Sequence, residues 1–262
     1  MNIRLDNRTA LVCGSSQGIG KAIALQFAEM GANVILMARN EELLKNTLKL
    51  LTNNDSQEHT YIQADFNYPY KVIDKIEHYL NSKKSIQILV NNTGGPLPGK
   101  ISEAGKDDLI SAFNQHIVTA QMITTKLLPY MIQSKYGRII NIISVGVKQP
   151  IDNLGVSNTI RGAMASWAKT LSREVAINGI TVNNILPGYT STERLNSLFE
   201  TNSARLGVSI EEYSSSIKQL IPAGRFAEPE ELAYTAGFLA SDYASYINGI
   251  NLPVDGGFLR TL

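Results

Sequence analysis

The sequence predicts a single α/β domain over residues 1–262, built around a doubly wound parallel sheet. Short apolar runs alternate with longer segments of helical period, which is the pattern of repeated strand-helix units. Several of the runs are continuous stretches of Val, Ile and Leu, as expected for strands whose two faces are both buried. No linker, repeat or low-complexity segment divides the chain.

The apolar runs predict seven strands, at Ala10–Cys13, Asn33–Met37, Tyr61–Ala64, Ile86–Val90, Arg138–Ile143, Thr181–Leu186 and Gly249–Pro253. The segments of helical period predict helices between them, at about Gly18–Met30, Glu41–Leu51, Lys71–Asn81, Asp107–Gln133, Arg161–Ala176 and Glu228–Ala240.

The segment from Ser191 to Ile221 departs from this rhythm. A connection of this length in a compact domain is more often a lid than slack chain, so it predicts a helical substrate flap at about 191–221. Its apolar residues would suit an apolar or acyl substrate beneath it, although they are equally compatible with amphipathic helices packed on the body: Leu195, Leu198, Phe199, Leu206, Val208 and Ile210.

Composition excludes several classes of function. The formal net charge is +1 and the charges are scattered, so we expect no nucleic-acid partner. No run approaches the roughly 20 apolar residues of a membrane span. The start carries no secretory signal, and a cytoplasmic location is predicted. The single cysteine, Cys13, cannot pair within the chain and argues against a thiolate metal site, so no metal is predicted.

A glycine-rich turn follows the first strand and opens the first helix, with the spacing Gly-x-x-x-Gly-x-Gly. It comprises Gly14, Ser15, Ser16, Gln17, Gly18, Ile19 and Gly20. Such a turn lets a pyrophosphate approach free N–H groups at the positive end of the helix dipole. The second strand ends at Arg39 rather than at an acidic residue, which favours NADP over NAD, unless Arg39 is merely a solvated surface cation.

Nearly the whole chain resembles the short-chain dehydrogenase/reductase family, particularly reductases of the 3-oxoacyl-acyl-carrier-protein type. The matching residues are the glycine-rich turn, Asp65, Asn91-Asn92-Thr93-Gly94, Ser144, Pro187-Gly188 with Thr192, the segment 224–231 and the closing Val254-Asp255-Gly256-Gly257. The resemblance implies a Rossmann-like fold with the cofactor along the carboxyl ends of the strands. Beyond the turn and Arg39, it implies cofactor contacts at Asp65, Phe66, Asn91, Asn92, Thr93, Gly94, Arg161, Pro187, Gly188, Thr190 and Thr192.

The chain departs from this family at its catalytic residues. Relatives usually carry a tyrosine thirteen residues after the active-site serine and a lysine four residues further on; counting from Ser144 reaches Ser157 and Arg161. His116 stands where relatives carry an asparagine, and Thr93 replaces the usual alanine. The sole Tyr-x-x-x-Lys, Tyr79 to Lys83, precedes the fourth strand and is predicted to be a chance surface pair.

Ser144, His116, Ser157 and Arg161 are therefore the candidate catalytic residues. Arg161 can hold ribose hydroxyls or an oxyanion but is no proton donor. His116 has an unperturbed pKa suited to proton transfer, although a purely structural histidine is an open alternative. Tyr189 is a further candidate hydroxyl that could instead simply pack, and Ser144 could instead cap the following turn.

Two functions remain open at this point. The first is an NADP-dependent oxidoreductase that transfers hydride between the nicotinamide and a carbonyl or alcohol of a small, apolar or acyl substrate. The second is a nucleotide-binding protein with a degenerate active site that acts as a binding or regulatory subunit. The resemblance also implies a homo-oligomer, a tetramer or dimer formed through the long helices beginning near Asp107 and Arg161.

Overall fold

The computed structural model describes residues 3–54, 56–82 and 85–261, which form a seven-stranded parallel sheet in the order β3-β2-β1-β4-β5-β6-β7. The strands are β1 Thr9–Cys13, β2 Asn33–Ala38, β3 Thr60–Gln63, β4 Ile88–Asn91, β5 Gly137–Ile142, β6 Ile180–Pro187 and β7 Asn251–Val254. All seven predicted strands are present, with ends within about two residues of the prediction. The fold-class prediction is confirmed.

Nine α-helices occur in the described part of the chain. They are α1 Gly18–Glu29, α2 Glu41–Leu48, α3 Pro69–Leu80, α4 Lys106–Phe113, α5 Thr119–Gln133, α6 Gly155–Val175, α7 Glu193–Leu206, α8 Ile210–Leu220 and α9 Pro229–Ala240. Within those residues, none of the helices has both the length and the apolar character that a membrane crossing requires.

Alternate residues of each central strand pack on opposite faces of the sheet. On β1, Ala10 and Val12 join a core formed with α1, α2 and α9, whereas Leu11 and Cys13 join a core formed with α3, α5 and α6. Burial raises the pKa of the Cys13 thiol to about 12, so the thiol behaves as a small apolar group at neutral pH. Helices on both faces explain the continuous apolar runs of the sequence.

The predicted start of one helix was wrong. The helix predicted from Arg161 begins at Gly155, because burial of Val156 and Ile160 outweighs the weak helix preference of Ser157, Asn158 and Thr159. The earlier start places residues 157 and 161 one turn apart on α6.

The predicted single helix from Asp107 to Gln133 is interrupted. A π-helical turn over Asn114–Val118 separates α4 from α5, and His116 lies within it. Such turns insert one residue into the helical repeat and are frequent at functional sites, and the hydrophobic period of the sequence gives no sign of this one.

The segment predicted as a flap folds into α7 and α8. The two helices share a small core of their own, formed by Leu195, Phe199, Ile217 and Ile221. Leu206 and Ile210, which the sequence assigned either to an apolar underside or to helices packed on the body, are exposed.

Side-chain amides link four neighbouring strands at the carboxyl half of the sheet. Asn91 donates to Asn141 (2.8 Å), Asn141 donates to Asn184 (2.8 Å), and Asn184 donates to Asn251 (2.7 Å). These residues are direct partners in the strand registers of β4, β5, β6 and β7. Since Asn141 and Asn184 are almost fully buried, each amide relies on its neighbour for hydrogen bonding. We call this set the asparagine ladder.

Replacing the central member should destabilise the whole ladder. In Asn141→Ala, Asn91 loses its acceptor and Asn184 loses its donor while both stay buried, so the free energy of unfolding should fall by about 2–4 kcal/mol. Urea denaturation measures this change.

The matched control is Thr181→Val, also in the sheet. The Thr181 hydroxyl is buried without a hydrogen-bond partner among the described atoms, so this substitution should leave the stability unchanged or slightly raised. Equal losses in the two variants would show that the ladder contributes nothing beyond burial.

Candidate active site

The glycine-rich turn is held against the sheet by Asn92. Its side-chain amide lies 3.3 Å from the carbonyl oxygen of Cys13 and 3.2 Å from that of Gly14. Gly14 has a φ of +61°, and a Cβ there would lie 2.5 Å from the Asn92 carbonyl oxygen, so only glycine fits. Gln17, the N-cap of α1, makes no side-chain cap bond, and the helix has no acidic residue in its first turn. The N–H groups of this turn therefore remain suited to a phosphate.

Two members of the predicted turn support it instead of facing the open site. Ser15 is fully buried, and its Oγ accepts the Met37 N–H (2.9 Å). A Cβ on Gly20 would lie 2.2 Å from the Gly14 carbonyl oxygen, so this glycine permits close packing. Neither residue lines the cavity described next.

A cavity of about 500 Å³ opens along the carboxyl ends of the strands and brings most of the predicted site residues together. Its lining includes Gly14, Ser16, Gln17, Gly18, Ile19, Arg39, Phe66, Asn92, Thr93, Gly94, Ser144, Ser157, Arg161, Pro187, Gly188, Thr190 and Thr192. The turn and Arg39 thus share one continuous space with the two serines and Arg161.

Three other predicted residues lie outside this cavity. Asp65 lines an adjoining groove with Arg39 and Phe66, and its carboxylate accepts the Asn67 N–H (3.0 Å). Asn91 does not face the cavity because its amide belongs to the asparagine ladder. His116 is buried behind the cavity wall.

Ser144 and Arg161 both line the cavity near the end of β5. The Ser144 Oγ accepts the N–H of Gly146 (3.0 Å) and so caps the short turn after the strand, as one of the two interpretations anticipated, while the residue also lines the cavity. The Arg161 guanidinium donates through Nη1 to the Ile142 carbonyl (3.0 Å). Burial, and then repulsion by Arg194, lower the pKa of Arg161 to about 10, which leaves it charged at neutral pH.

His116 is paired with Thr93. The Thr93 hydroxyl lies 2.7 Å from Nδ1 of His116, so two of the four positions predicted to depart from the family pattern contact each other. Burial, and then the charge of Arg161, lower the pKa of His116 to about 3. The imidazole is therefore neutral at pH 7, and this placement favours the structural alternative over a general acid.

Tyr189 packs in an aromatic cluster. Its ring makes a T-shaped contact with Phe258 at 5.4 Å between centroids and tilted contacts with Phe199 and Phe226. Burial raises the pKa of its hydroxyl, which makes the group a poorer acid. The packing interpretation is favoured, although the residue also lines the cavity.

Sequence reasoning missed Arg194. This residue stands in the first turn of α7, and its Nη2 donates across the cavity mouth to the Pro96 carbonyl (2.6 Å). A cation is disfavoured by the dipole at a helix start, and that mismatch is the only signal in the sequence.

The sequence also contains one Tyr-x-x-x-Lys, Tyr79 to Lys83, which we predicted to be a chance surface pair. Lys83 lies outside the described residues, whereas Tyr79 packs against the core beneath α3.

Comparison with known proteins defines the class to which this fold and site belong. A family model described as enoyl-(acyl carrier protein) reductase matches residues 14–259. The chain belongs to the short-chain dehydrogenase/reductase family, as the motifs predicted.

Individual relatives match over almost their full lengths. The NADPH-dependent reductase BacG of Bacillus subtilis is 29% identical over 98% of this chain and 100% of its own. The 3-oxoacyl-[acyl-carrier-protein] reductase FabG of Rickettsia conorii is 32% identical over 98% of this chain and 99% of its own. The structure of L-sorbose reductase from Gluconobacter frateurii, complexed with NADPH and L-sorbose, superimposes with a TM-score of 0.93 at 32% identity, covering 100% of both chains.

The burial of neutral His116 should make stability depend on pH. In the unfolded chain a histidine binds a proton near pH 6.5, whereas the folded site resists protonation until about pH 3. Between these values the unfolded state holds the extra proton, so the free energy of unfolding falls as the pH is lowered. His116→Asn should reduce the loss of stability between pH 7 and pH 5 by about 2 kcal/mol in urea unfolding.

His78→Asn is the control, because this histidine is exposed on α3. The loss in free energy of unfolding between pH 7 and pH 5 should be the same in His78→Asn as in the parent protein. If this loss is also unchanged in His116→Asn, the His116 imidazole is protonated in the folded protein without opening the fold.

Proposed function

We propose that this chain is an NADPH-dependent reductase that transfers hydride to the carbonyl group of a small substrate, and from the corresponding alcohol in reverse. The observation that carries this proposal is the continuity of the 500 Å³ cavity. One end is walled by the phosphate-type turn and Arg39, and the other by Ser144, Ser157 and Arg161. The names of the NADPH-dependent relatives support the same cofactor.

The residues present fit the cofactor. The glycine cradle of α1 leaves N–H groups for the pyrophosphate, and Thr192 faces this cradle because a Cβ on Gly18 would lie 3.3 Å from its Cγ2. Arg39 is exposed at the end of β2, and no carboxylate in the described chain forms an ion pair with it. It is therefore available to a 2′-phosphate. When bound, NADPH supplies the hydride.

The chain's own residues would hold the substrate oxygen. As hydride adds to the carbonyl carbon, the C=O electron pair moves onto oxygen, where the Ser144 hydroxyl and the Arg161 guanidinium stabilise the charge. Arg161 keeps its proton, so the proton that completes the alcohol comes from solvent water. His116 is a positioning residue in this scheme: it fixes Thr93 beside Gly94, next to the cavity.

The flap would cover an apolar substrate. Leu195 and Leu198 of α7 line the cavity, and α8 packs on α7 through the small core they share. Closure would exclude water and strengthen the polar contacts beneath.

We also propose a homo-oligomer, in which the exposed apolar side chains of α4 and α5 are covered. Ile110 and Phe113 on α4, and Ile132 on α5, are each more than 40% exposed. A cytoplasmic location stays a prediction from the sequence.

The non-redox alternative gains no support from the comparisons, because the three relatives named above are reductases.

Arg39 provides a direct test of cofactor choice. Removing a charge-assisted contact to the 2′-phosphate costs about 1.5–3 kcal/mol, so Arg39→Ala should weaken NADPH binding about 10- to 100-fold and leave NADH binding nearly unchanged. Calorimetric titration of both nucleotides measures this.

Lys49 is an exposed cation at the C-cap of α2, the helix that follows Arg39, and it does not line the cavity, so Lys49→Ala should alter neither affinity. If Arg39→Ala weakens both nucleotides equally, the assignment to NADP is wrong.

Arg161 provides a test of the chemistry. Loss of an oxyanion donor typically costs about 10²–10³ in kcat, so Arg161→Met should lower kcat by that factor on any ketone or acyl thioester that the parent protein reduces. The absorbance of NADPH reports turnover.

The double variant Ser157→Tyr with Arg161→Lys restores the residues usual in the family and separates the two hypotheses. If the double variant reduces any ketone or acyl thioester tested and the parent protein reduces none, the proposal that the native chain is a reductase is wrong. The binding-protein alternative is then favoured.

A further inference from the structure

Two arginines converge at one point of the cavity rim. A Cβ built on Gly95 would lie 3.3 Å from Nη2 of Arg194 and 3.6 Å from Nη2 of Arg161. Arg161 comes from α6 below the cavity and Arg194 from α7 above it, so a ligand entering between flap and sheet passes both guanidiniums. Gly95 leaves the space between them open.

These two cations lack compensating charge. No carboxylate of the described residues lies within ion-pair distance of either guanidinium, and their neutral bonds go to the Ile142 and Pro96 carbonyls. Of the charged side chains known to line the cavity, three are arginines and one is a carboxylate, Glu193. The two positive charges repel each other. After burial, this repulsion is the second cause of the lowered pKa of Arg161.

An anion between the guanidiniums would remove this penalty. A guanidinium offers a planar fork that matches a carboxylate or phosphate oxygen pair. Nη2 of Arg161 lies beside the open space at Gly95, while its Nη1 is bonded to Ile142. Apolar side chains lie alongside, namely Leu195 and Leu198.

We propose that Arg161 and Arg194 bind a carboxylate on the substrate, so that the substrate is an apolar oxo acid in its anionic form. This inference rests on the proposed function, because it names the substrate class for the same cavity. Arg161 then interacts with two groups of the substrate. Its guanidinium lies between the substrate carbonyl oxygen, which is held at Ser144, and the substrate carboxylate, which is held at Arg194. Arg194 is the residue that determines specificity.

The cofactor pyrophosphate is a second possible source of the same anion. The structure separates the two positions, because Thr192 faces Gly18 of the phosphate turn, whereas Arg194 reaches across to Gly95 and Pro96. The experiment therefore uses protein saturated with NADPH.

The test compares hexanoate with hexanamide, which match in size but differ in charge. Neither contains a ketone, so neither is reduced by hydride transfer during the measurement. On the NADPH-loaded protein, hexanoate should bind at least about tenfold more tightly than hexanamide, corresponding to one charge-assisted contact. Arg194→Gln should abolish this preference, and Arg194→Lys should restore part of it. Arg205→Gln, an arginine at the far end of α7, should leave it intact.

Gly95→Ala supplies a steric test. Its methyl group would occupy the space between the two guanidiniums and should weaken hexanoate binding at least about tenfold. Gly99→Ala, in the same loop with no atom within 4 Å of the new methyl group, should have no effect.

Three results would overturn the proposal: equal or undetectable binding of the two ligands by the parent protein, retention of the preference in Arg194→Gln, or a loss of NADPH affinity in Arg194→Gln in place of hexanoate affinity. The last would assign the arginine to the pyrophosphate. Failure of the proposed function looks different, since it appears as no NADPH oxidation with any oxo acid or ketone while hexanoate is still preferred over hexanamide.

Discussion

The carboxyl ends of parallel strands meet at one edge of the sheet, and side-chain amides fix the backbone at that edge. The Asn92 amide donates to carbonyl oxygens of the phosphate-type turn, while the asparagine ladder connects β4, β5, β6 and β7. Each buried amide has its hydrogen bonds only when its neighbouring strand is in register, so the positions of the turn, Ser144 and Pro187 depend on one another. The geometry of the site is thus a property of the sheet.

The predicted replacement of the usual tyrosine and lysine by Ser157 and Arg161 would change the electrostatics of the site. A phenol can surrender a proton, whereas a serine hydroxyl is far less acidic and an arginine stays charged and can only donate hydrogen bonds. In the proposed mechanism the site would stabilise negative charge without neutralising it, and the second guanidinium of Arg194 would extend the same property to the cavity mouth. The proton that completes the alcohol would then come from water.

Much of this was predictable from the sequence. The continuous apolar runs predicted the sheet, because burial on both faces leaves no room for alternation, and the glycine spacing predicted the turn after β1. The π-turn at His116 and the early start of α6 were not predictable, since tertiary packing of Val156 and Ile160 overrides local preference. The convergence of Arg161 with Arg194 also escaped prediction, because the residues are far apart in the chain and only the fold of α7 over Gly95 brings them together.

The departures from the family pattern predicted at Thr93 and His116 are better explained together than separately. A threonine hydroxyl in place of a methyl group is a polar group at a partly buried position, and the imidazole Nδ1 at 2.7 Å supplies its partner. The imidazole in turn is held neutral by burial and by the charge of Arg161, so it can accept or donate one hydrogen bond without adding a third positive charge near Arg161 and Arg194. The predicted departure at Thr93 thus has its hydrogen-bond partner in His116, and the charge of Arg161 helps to keep that histidine neutral. Pairing of this kind is expected of a site that retains a defined geometry.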